Sequence, residues 1–181
     1  MTHHVPLDLV PAAVLKSVAG ALRPVILLDG GSGSGKTSLA AHIVAAWHAS
    51  RPDALQVVSL DDVYPGWEGL AAAADAVPAI LGRDGGYRLW DWTRSVPSAW
   101  VSVDPDGPVL VEGCGALTRA SAPLATVRLW LEAPEPVRKA RALARDKGGF
   151  DPYWEMWADQ ERAHLAQDRP WDLADLVVSA S

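Results

Sequence analysis

Residues 30–37 have the composition and spacing with the clearest chemical meaning. They read GGSGSGKT and fit the pattern G-x-x-x-x-G-K-[ST], in which glycines let successive backbone N–H groups point at one anion. A helix that begins near Lys36 would add the positive end of its dipole at the same place. The segment therefore predicts a loop that binds the phosphates of a nucleotide.

The polar side chains of this loop have separate expected roles. Lys36 is expected to reach the β- and γ-phosphates, and the hydroxyl of Thr37 is expected to bind a magnesium ion. We therefore predict ATP and Mg²⁺ as the cofactors. The residues predicted to bind the nucleotide are Gly30, Gly31, Ser32, Gly33, Ser34, Gly35, Lys36, Thr37 and Ser38.

Two acidic residues follow apolar segments that read as strands. Asp61 comes after residues 55–60, and Glu112 comes after residues 109–111. At the carboxyl end of a parallel strand, each carboxylate would lie on the same edge of the sheet as the phosphate loop. Asp61, preferred over Asp62, could accept the proton of an attacking hydroxyl, and Glu112 could support magnesium or its waters. The alternatives are that the two aspartates only form a turn and that the glutamate only ends a strand.

Arg138, Arg141 and Arg145 are spaced so that they share one face of a predicted helix. Such arginines could close over the transferring phosphoryl group and stabilise its developing negative charge. Arg145 is the strongest single candidate for this catalytic role, although a solvated basic face explains the same spacing equally well. Arg169, close to the last predicted strand, is predicted to line the adenine side of the nucleotide site.

Residues 90–94 combine aromatic and charged side chains. Aromatic faces suit a planar ligand, and an acid or an arginine could hold its polar edges. We therefore predict that Trp90, Asp91 and Arg94 contact the substrate that accepts the phosphoryl group. The alternative is that Trp90 and Trp92 cover the core from an edge hairpin.

Strands that alternate with helices must position these side chains. Residues 25–28, 55–60, 109–111, 126–131 and 174–178 read as strands, and residues 7–22, 36–49, 134–146 and 151–167 read as helices. This alternation predicts a three-layer α/β domain around a parallel sheet. We predict one domain over residues 1–181, with an acceptor-binding insertion at 60–107 and lid-like helices at 134–168. Trp154 and Trp157 are assigned to a packed helix face of that lid.

The composition argues against several other classes of function. The chain has 181 residues, a net charge of −6 and one cysteine. The acidic balance argues against a general binder of nucleic acid or of membrane surfaces, and a single cysteine allows no internal disulfide. No segment reaches the ~20 apolar residues of a membrane span and no signal peptide is recognisable, so the cytoplasm is the expected location.

The residues quoted above resemble the uridine kinase branch of the P-loop kinases, which includes phosphoribulokinase-like and pantothenate kinase-like enzymes. The resemblance covers residues 24–179. It is carried by GGSGSGKTS at 30–38, SLDDVY at 59–64, LWDWTRS at 89–95, VLVEGCGAL at 109–117, ARD at 144–146 and ADLVVS at 174–179.

This resemblance implies a fold and several residue roles. The fold would be the P-loop NTPase fold, with a five-stranded parallel sheet of order 2-3-1-4-5 flanked by helices. The general base would be Asp61, a tyrosine that contacts the substrate would be Tyr64, and the Tyr-Asp-Phe segment of the family would fall on residues 90–92. The chain departs from the family at Val63, which replaces a phenylalanine, in its tryptophans around Asp91, and in a shorter stretch between the second and third strands. The resemblance therefore does not extend to uridine or cytidine as the acceptor.

Taken together, these residues predict a kinase that moves the γ-phosphoryl group of ATP to a hydroxyl of a nucleoside-like or other small metabolite. A nucleoside monophosphate kinase is an alternative, in which Arg83, Arg88 and Arg94 would hold an anionic acceptor. A regulatory nucleotide-binding protein that phosphorylates no acceptor is another alternative, and it would lack a base or a lid. The presence of Asp61 favours the hydroxyl acceptor.

Overall fold

A parallel sheet forms the centre of the protein. The structure is a computed structural model and describes residues 3–145 and 148–180. The strands within these residues are β1 (His3–His4), β2 (Val25–Asp29), β3 (Gln56–Ser59), β4 (Gly86–Asp91), β5 (Val96–Ser102), β6 (Val109–Glu112), β7 (Val127–Glu132) and β8 (Leu176–Ser179). Six of them form one sheet in the order β1-β8-β7-β2-β6-β3, in which each neighbouring pair is parallel.

The predicted order of the five main strands is confirmed, and one further strand extends the sheet. The five apolar runs correspond to β2, β3, β6, β7 and β8. When these five strands are numbered 1 to 5 in chain order, their arrangement across the sheet is 2-3-1-4-5. The additional strand β1 pairs with β8, where the backbone N–H of His3 donates to the carbonyl of Asp175 at 2.9 Å. Because β1 has only two exposed polar residues, no apolar run in the sequence indicates it.

Helices cover both faces of the sheet, as the three-layer prediction requires. They are α1 (Val10–Ser17), α2 (Lys36–Ser50), α3 (Leu70–Ile80), α4 (Glu135–Arg145), α5 (Trp154–Asp168) and α6 (Pro170–Leu173). Apolar side chains of α1 and α2 form the core on one face, and those of α3, α4 and α5 contribute to the core on the other. Among the helices described, none combines the length and the apolar character needed to cross a membrane.

The central strand β2 is apolar from Val25 to Leu28 because it is covered on both faces. All five of its residues are buried. Val25 and Leu27 belong to the core beneath α3 and α5, whereas Ile26 and Leu28 belong to the core beneath α1 and α2. A strand buried on both faces has no solvent side on which to alternate polar residues, which explains the uninterrupted apolar run in the sequence.

The predicted insertion contains a helix followed by a hairpin. After β3 the chain forms α3 and then the antiparallel pair β4–β5, whose register shifts between Arg88 and Trp90. The hairpin is a separate two-stranded sheet, so it adds no strand to the central sheet. It extends the protein on the side where β3 ends.

Parallel strands bring three connections to one edge of the sheet. The phosphate loop follows β2, Asp61 follows β3, and a glycine turn follows β6. Glu112, the last residue of β6, pairs in register with Leu28 of β2 on one side and Ser59 of β3 on the other. The carboxyl edge of the sheet therefore collects the residues that the sequence marked as chemically active.

Candidate functional site

The Gly-rich motif forms the connection between β2 and α2. Asp29 is the last residue of β2, and Lys36 is the first residue of α2. Gly33 and Gly35 have φ angles of 77° and 101°, in a region where a side chain would clash with the backbone. The loop therefore has the strand–turn–helix context expected of a phosphate-binding site.

The predicted nucleotide residues surround a cavity at this loop, which we call the phosphate cavity. Its volume is about 240 Å³, and besides loop residues it is lined by residues that include Glu112, Cys114 and Arg141. The loop residues that line it are Ser32, Gly33, Gly35, Lys36, Thr37 and Ser38. Gly30 and Gly31 contribute instead through their backbone carbonyls, to which the Lys36 ammonium donates hydrogen bonds of 2.8 and 3.1 Å.

Lys36 stays charged although it is buried. Burial by itself lowers the pKa of Lys36, but Cys114 and then the carboxylates of Glu112, Glu161 and Asp61 counteract burial, and the pKa is raised. The thiol of Cys114 lies 3.5 Å from Nζ, and burial raises its pKa, a shift that the charge of Lys36 opposes. A fixed ammonium at this position can bind phosphate oxygens.

Thr37 and Glu112 present oxygen atoms to the phosphate cavity. The Glu112 carboxylate accepts hydrogen bonds from Ser59 Oγ at 2.8 Å and from Thr37 Oγ1 at 3.4 Å. Burial raises the pKa of Glu112, and the charge of Lys36 together with these hydroxyls counteracts that shift. Magnesium takes hard oxygen ligands and commonly uses only one or two from the protein, the rest being phosphates and water. The two predicted metal ligands therefore fit the predicted ion.

A second cavity adjoins the first, and we call it the aromatic cavity. Its volume is about 350 Å³, and its aromatic walls are Tyr64, Trp67, Trp92, Phe150 and Trp157. Ring contacts connect these walls, because Trp67 stacks on Phe150 with centroids 5.1 Å apart and lies 4.9 Å from Trp92. The side chains that line both cavities are Ser32, Asp61, Arg145 and Trp157.

Asp61 lies where the two cavities meet, whereas its neighbour does not. Asp61 is exposed in the turn Leu60–Asp62 that follows β3, and its backbone carbonyl accepts a hydrogen bond from Trp92 Nε1 at 2.9 Å. Asp62 lines neither cavity, and burial raises its pKa, with a smaller contribution from Asp61. Of the two aspartates, Asp61 alone therefore lies at the junction of the two cavities.

Tyr64 lines the aromatic cavity with its ring, not with a free hydroxyl. The residue is 1% exposed, and its hydroxyl donates to the backbone carbonyl of Cys114 at 2.9 Å. Burial raises the pKa of Tyr64 well above its usual value, so the phenol stays neutral. Its ring meets Trp157 edge-to-face at 4.8 Å.

The predicted acceptor cluster at residues 90–94 is only partly at the cavity. Of these five residues, all of which the structure describes, Trp92 alone lines the aromatic cavity. Asp91 accepts hydrogen bonds from the backbone N–H groups of Thr93 and Arg94, at 2.9 and 3.0 Å, and so closes the hairpin turn. Trp90, Asp91 and Arg94 therefore line neither cavity. β4 ends at Asp91, and Trp92 reaches the aromatic cavity from the turn that follows the strand.

The arginines of the monophosphate alternative also lie away from the site. Arg88 donates to the carbonyl of Ser98 across the hairpin at 3.0 Å. Neither Arg83 nor Arg88 nor Arg94, all of them described, lines the phosphate cavity or the aromatic cavity. This placement does not favour an anionic acceptor held by these residues.

The arginine face of α4 points toward the phosphate loop. Arg138 donates to the carbonyl of Ser32 at 3.0 Å, Arg141 lines the phosphate cavity, and Arg145 lines both cavities. The sequence left open whether these arginines form a lid or a solvated face. In the structure they lie on the face of α4 that covers the phosphate loop. Asp146, next to Arg145, lies outside the described residues.

The structure places Arg169, predicted to line the adenine side, away from the phosphate loop. Arg169 follows α5 with a φ of 49°, forms an ion pair with Asp172 at 2.6 Å and lies over the ring of Trp171. It precedes β8 and so lies at the amino edge of the sheet, whereas the phosphate loop leaves β2 at the carboxyl edge. A groove of about 210 Å³ adjoins the phosphate loop and is lined by residues that include Ser34, His42 and Ser179.

A buried acid that the sequence analysis missed organises the loop. Asp29 is fully buried. It accepts hydrogen bonds from the backbone N–H groups of Gly30 at 2.6 Å, Gly115 at 3.1 Å and Leu117 at 2.9 Å, and its fourth partner is His164 Nε2 at 3.0 Å. These bonds connect the start of the phosphate loop to the turn after β6 and to α5.

Helix α5 supplies further buried polar groups that were missed. Glu161, His164 and Asp168 lie on its buried face, on which Trp154 and Trp157 are packed as predicted. Trp157 also donates from Nε1 to Glu161 Oε1 at 3.1 Å. Glu161, His164 and Asp168 follow Trp154 and Trp157 at helical spacing in the sequence. This pattern could have indicated that the three polar side chains are buried and have partners, because charged side chains are rarely buried without partners.

Comparisons with known proteins agree at the level of the fold. No protein-family profile matches the chain, and no curated protein matches it. A solved structure from Silicibacter sp. TM1040, described as a "putative fructose transport system kinase", superposes with a TM-score of 0.61 at 24% identity, covering 94% of this chain and 98% of its own. A second, described as a "possible uridine kinase" from Bacillus stearothermophilus, has a TM-score of 0.65 at 19% identity, covering 95% and 96%. The α/β fold predicted from the uridine kinase resemblance is therefore confirmed.

His164 should make the stability of the fold depend on pH. Its two ring nitrogens lie 3.0 Å from Asp29 and 3.3 Å from Asp168. Burial by itself lowers its pKa, but the two carboxylates outweigh burial and raise the pKa above 6.5. A raised pKa stabilises the folded state fully below the unfolded pKa of about 6.5, and this contribution is lost as the pH rises through the folded value.

We therefore expect His164→Gln to reduce the free energy of unfolding most below pH 6 and progressively less as the pH rises. Denaturant unfolding from pH 5 to pH 9 measures this difference. His48→Gln on the exposed end of α2 is the matched control, and its difference from the wild type should stay small and constant. A His164→Gln deficit that grows with pH would contradict the assignment.

Proposed function

We propose that this protein is an ATP-dependent kinase that transfers the γ-phosphoryl group to a hydroxyl of a small molecule. The observation that carries the proposal is the wall shared by the two cavities. Asp61 and Arg145 line both the phosphate cavity and the aromatic cavity. A candidate base and a candidate cation therefore stand where a phosphate chain and an acceptor would meet.

The phosphate cavity would hold the triphosphate of ATP. Lys36 binds the β- and γ-phosphates in this proposal, and the backbone N–H groups of the loop bind their oxygens. Thr37 and Glu112 would hold a magnesium ion, which supplies neutralisation of the phosphate charge. The groove beside Ser34 and His42 would take the nucleotide base, because it lies on the side of the loop away from the aromatic cavity.

The aromatic cavity would hold the acceptor. Its walls of tryptophan, phenylalanine and tyrosine exclude water and suit an apolar or planar face. The hydroxyl oxygen of the acceptor would attack the γ-phosphorus. The bond between the γ-phosphorus and the oxygen that bridges the β- and γ-phosphates would break, and ADP would leave. Asp61 would take the hydroxyl proton, and Arg145 would stabilise the charge on the transferring group.

The named neighbours point to the same class of acceptor. One is described as a fructose transport system kinase and the other as a uridine kinase, with the qualifications quoted above. A sugar and a nucleoside both offer hydroxyl groups next to a ring. We therefore propose a hydroxylated ring compound as the acceptor of this chain.

The decisive experiment is a phosphorylation screen of purified protein with Mg²⁺ and ATP. Nucleosides, sugars and vitamin-like alcohols are offered, and mass spectrometry detects addition of one phosphoryl group. We expect at least one acceptor to yield product together with ADP. If nucleoside monophosphates react and alcohols do not, the monophosphate kinase alternative replaces the proposal. If no acceptor reacts although ATP binds, the regulatory alternative replaces it.

Replacing the candidate base should reduce turnover without reducing nucleotide affinity. Asp61→Asn removes proton acceptance but keeps the shape of the side chain, so kcat should fall by about 10²- to 10⁴-fold, while the Kd for ATP changes little. The matched control is Asp62→Asn, since that aspartate lines neither cavity, and it should retain most of the activity. Equal kcat values for Asp61→Asn and the wild type would remove Asp61 from the mechanism.

Trp92 should contribute to acceptor binding through its ring. Trp92→Ala removes one aromatic wall worth about 0.5–1.5 kcal/mol of contact, so KM for the acceptor should rise roughly two- to tenfold. KM for ATP should be unaffected, because Trp92 lines only the aromatic cavity of the two. Trp100→Ala, at a half-exposed site on β5, is the control. An unchanged acceptor KM in Trp92→Ala would show that the acceptor binds elsewhere.

A further inference from the structure

The backbone N–H and carbonyl of Ser32 in the phosphate loop are hydrogen-bonded to two oppositely charged side chains. Its backbone N–H donates to Glu161 Oε1 at 2.6 Å. Its carbonyl accepts a hydrogen bond from Arg138 Nη1 at 3.0 Å, and the same Nη1 lies 3.0 Å from Glu161 Oε2. The Glu161 carboxylate therefore accepts a hydrogen bond from one of the loop N–H groups, which would otherwise be available to phosphate oxygens.

The two side chains are fixed by further contacts. The Glu161 side chain is 7% exposed and accepts a third hydrogen bond, from Trp157 Nε1. The Arg138 side chain is 14% exposed and donates from Nε to the carbonyl of Ala133. A Cβ atom at Gly31 would overlap the Arg138 guanidinium, and a Cβ atom at Gly33 would overlap the backbone carbonyl of Arg138, so the close approach of α4 to the loop requires glycine at position 33.

The pair contacts a residue of the wall that the two cavities share. Ser32 is one of the residues that line both cavities, together with Asp61 and Arg145. In the proposed complex, the terminal phosphate of ATP is the part of the nucleotide nearest to this shared wall. The charges of Arg138 and Glu161 therefore act on the γ-phosphate more than on the rest of the ligand, because Coulomb energies fall with distance.

We infer that Arg138 and Glu161 form a charge-balanced pair that sets how strongly the phosphate loop attracts the terminal phosphate of its nucleotide. This inference rests on the proposed ATP site. Together the two side chains add no net charge beside the loop. Each one alone would add a full unit of opposite sign, in a partly buried place where charges are weakly screened.

Removing one charge or the other should change ATP affinity in opposite directions. Glu161→Gln keeps an oxygen that can accept from the Ser32 N–H but leaves Arg138 uncompensated, so ATP should bind about tenfold more tightly. Arg138→Gln leaves the glutamate uncompensated, so ATP should bind about tenfold more weakly. The double variant is neutral again and should bind ATP within about threefold of the wild type.

Isothermal titration of each folded variant with ATP and with ADP, both with Mg²⁺, measures these affinities without any acceptor. We expect the ratio of ATP to ADP affinity to rise in Glu161→Gln and to fall in Arg138→Gln. Arg162→Gln is the matched control on the exposed face of α5, where Arg162 pairs with Asp159, and its ratio should equal that of the wild type. Arg138→Lys keeps the charge and should stay close to the wild type, which provides a second variant if Arg138→Gln does not fold.

A purely structural role for the pair gives a different pattern. Both single substitutions would then weaken ATP and ADP binding alike, because each would loosen the same loop, and this result would overturn the inference. An unchanged ratio of affinities in Glu161→Gln would also overturn it. Failure of the wild type to bind any nucleotide would instead remove the proposed function, so the two failures are distinguishable.

Discussion

The buried carboxylate of Asp29 is the interaction on which the rest of the site depends. It ends the central strand and receives three backbone N–H bonds and one imidazole bond. An unpaired buried carboxylate would be very costly, and a carboxylate with four donors is stable only while all four stay in place. The start of the phosphate loop, the turn after β6 and helix α5 are therefore held in one arrangement by a single side chain.

Helix α5 connects Asp29 to the phosphate loop. Its buried face carries His164 against Asp29 and, one turn earlier, Glu161 against Ser32. Arg138 of α4 joins the same group. The polar residues of these two helices are buried together beside the loop, so that each desolvated charge has a partner of opposite sign or several hydrogen bonds. The lid-like helices are thus part of the support of the phosphate loop.

The two cavities divide the chemistry between polar and aromatic surroundings. The phosphate cavity is formed by backbone, Lys36 and oxygen-bearing side chains, whereas the aromatic cavity has ring walls contributed by four separate parts of the chain. The polar part recurs as a local motif, because neighbouring residues bind one anion. The aromatic part has no such motif, because Trp67, Trp92, Phe150 and Trp157 meet only in the folded protein. The shape of the aromatic cavity therefore depends on long-range packing.

The sequence alone determined the five main strands, the phosphate loop and the placement of Asp61 and Glu112, and its resemblance to the uridine kinase branch implied the strand order. Apolar runs and a glycine motif are local patterns, and parallel strands necessarily bring their carboxyl ends to one edge of the sheet. Only the tertiary structure decided that Trp92 and not Trp90 lines the cavity, that Arg169 lies at the far edge, and that Asp29, Glu161 and His164 stabilise the loop. Those outcomes depend on how the β4–β5 hairpin packs against the rest of the protein, on the direction of α5 and on the pairing of buried charges. Each of these arises from contacts between residues far apart in the chain, which no local pattern encodes.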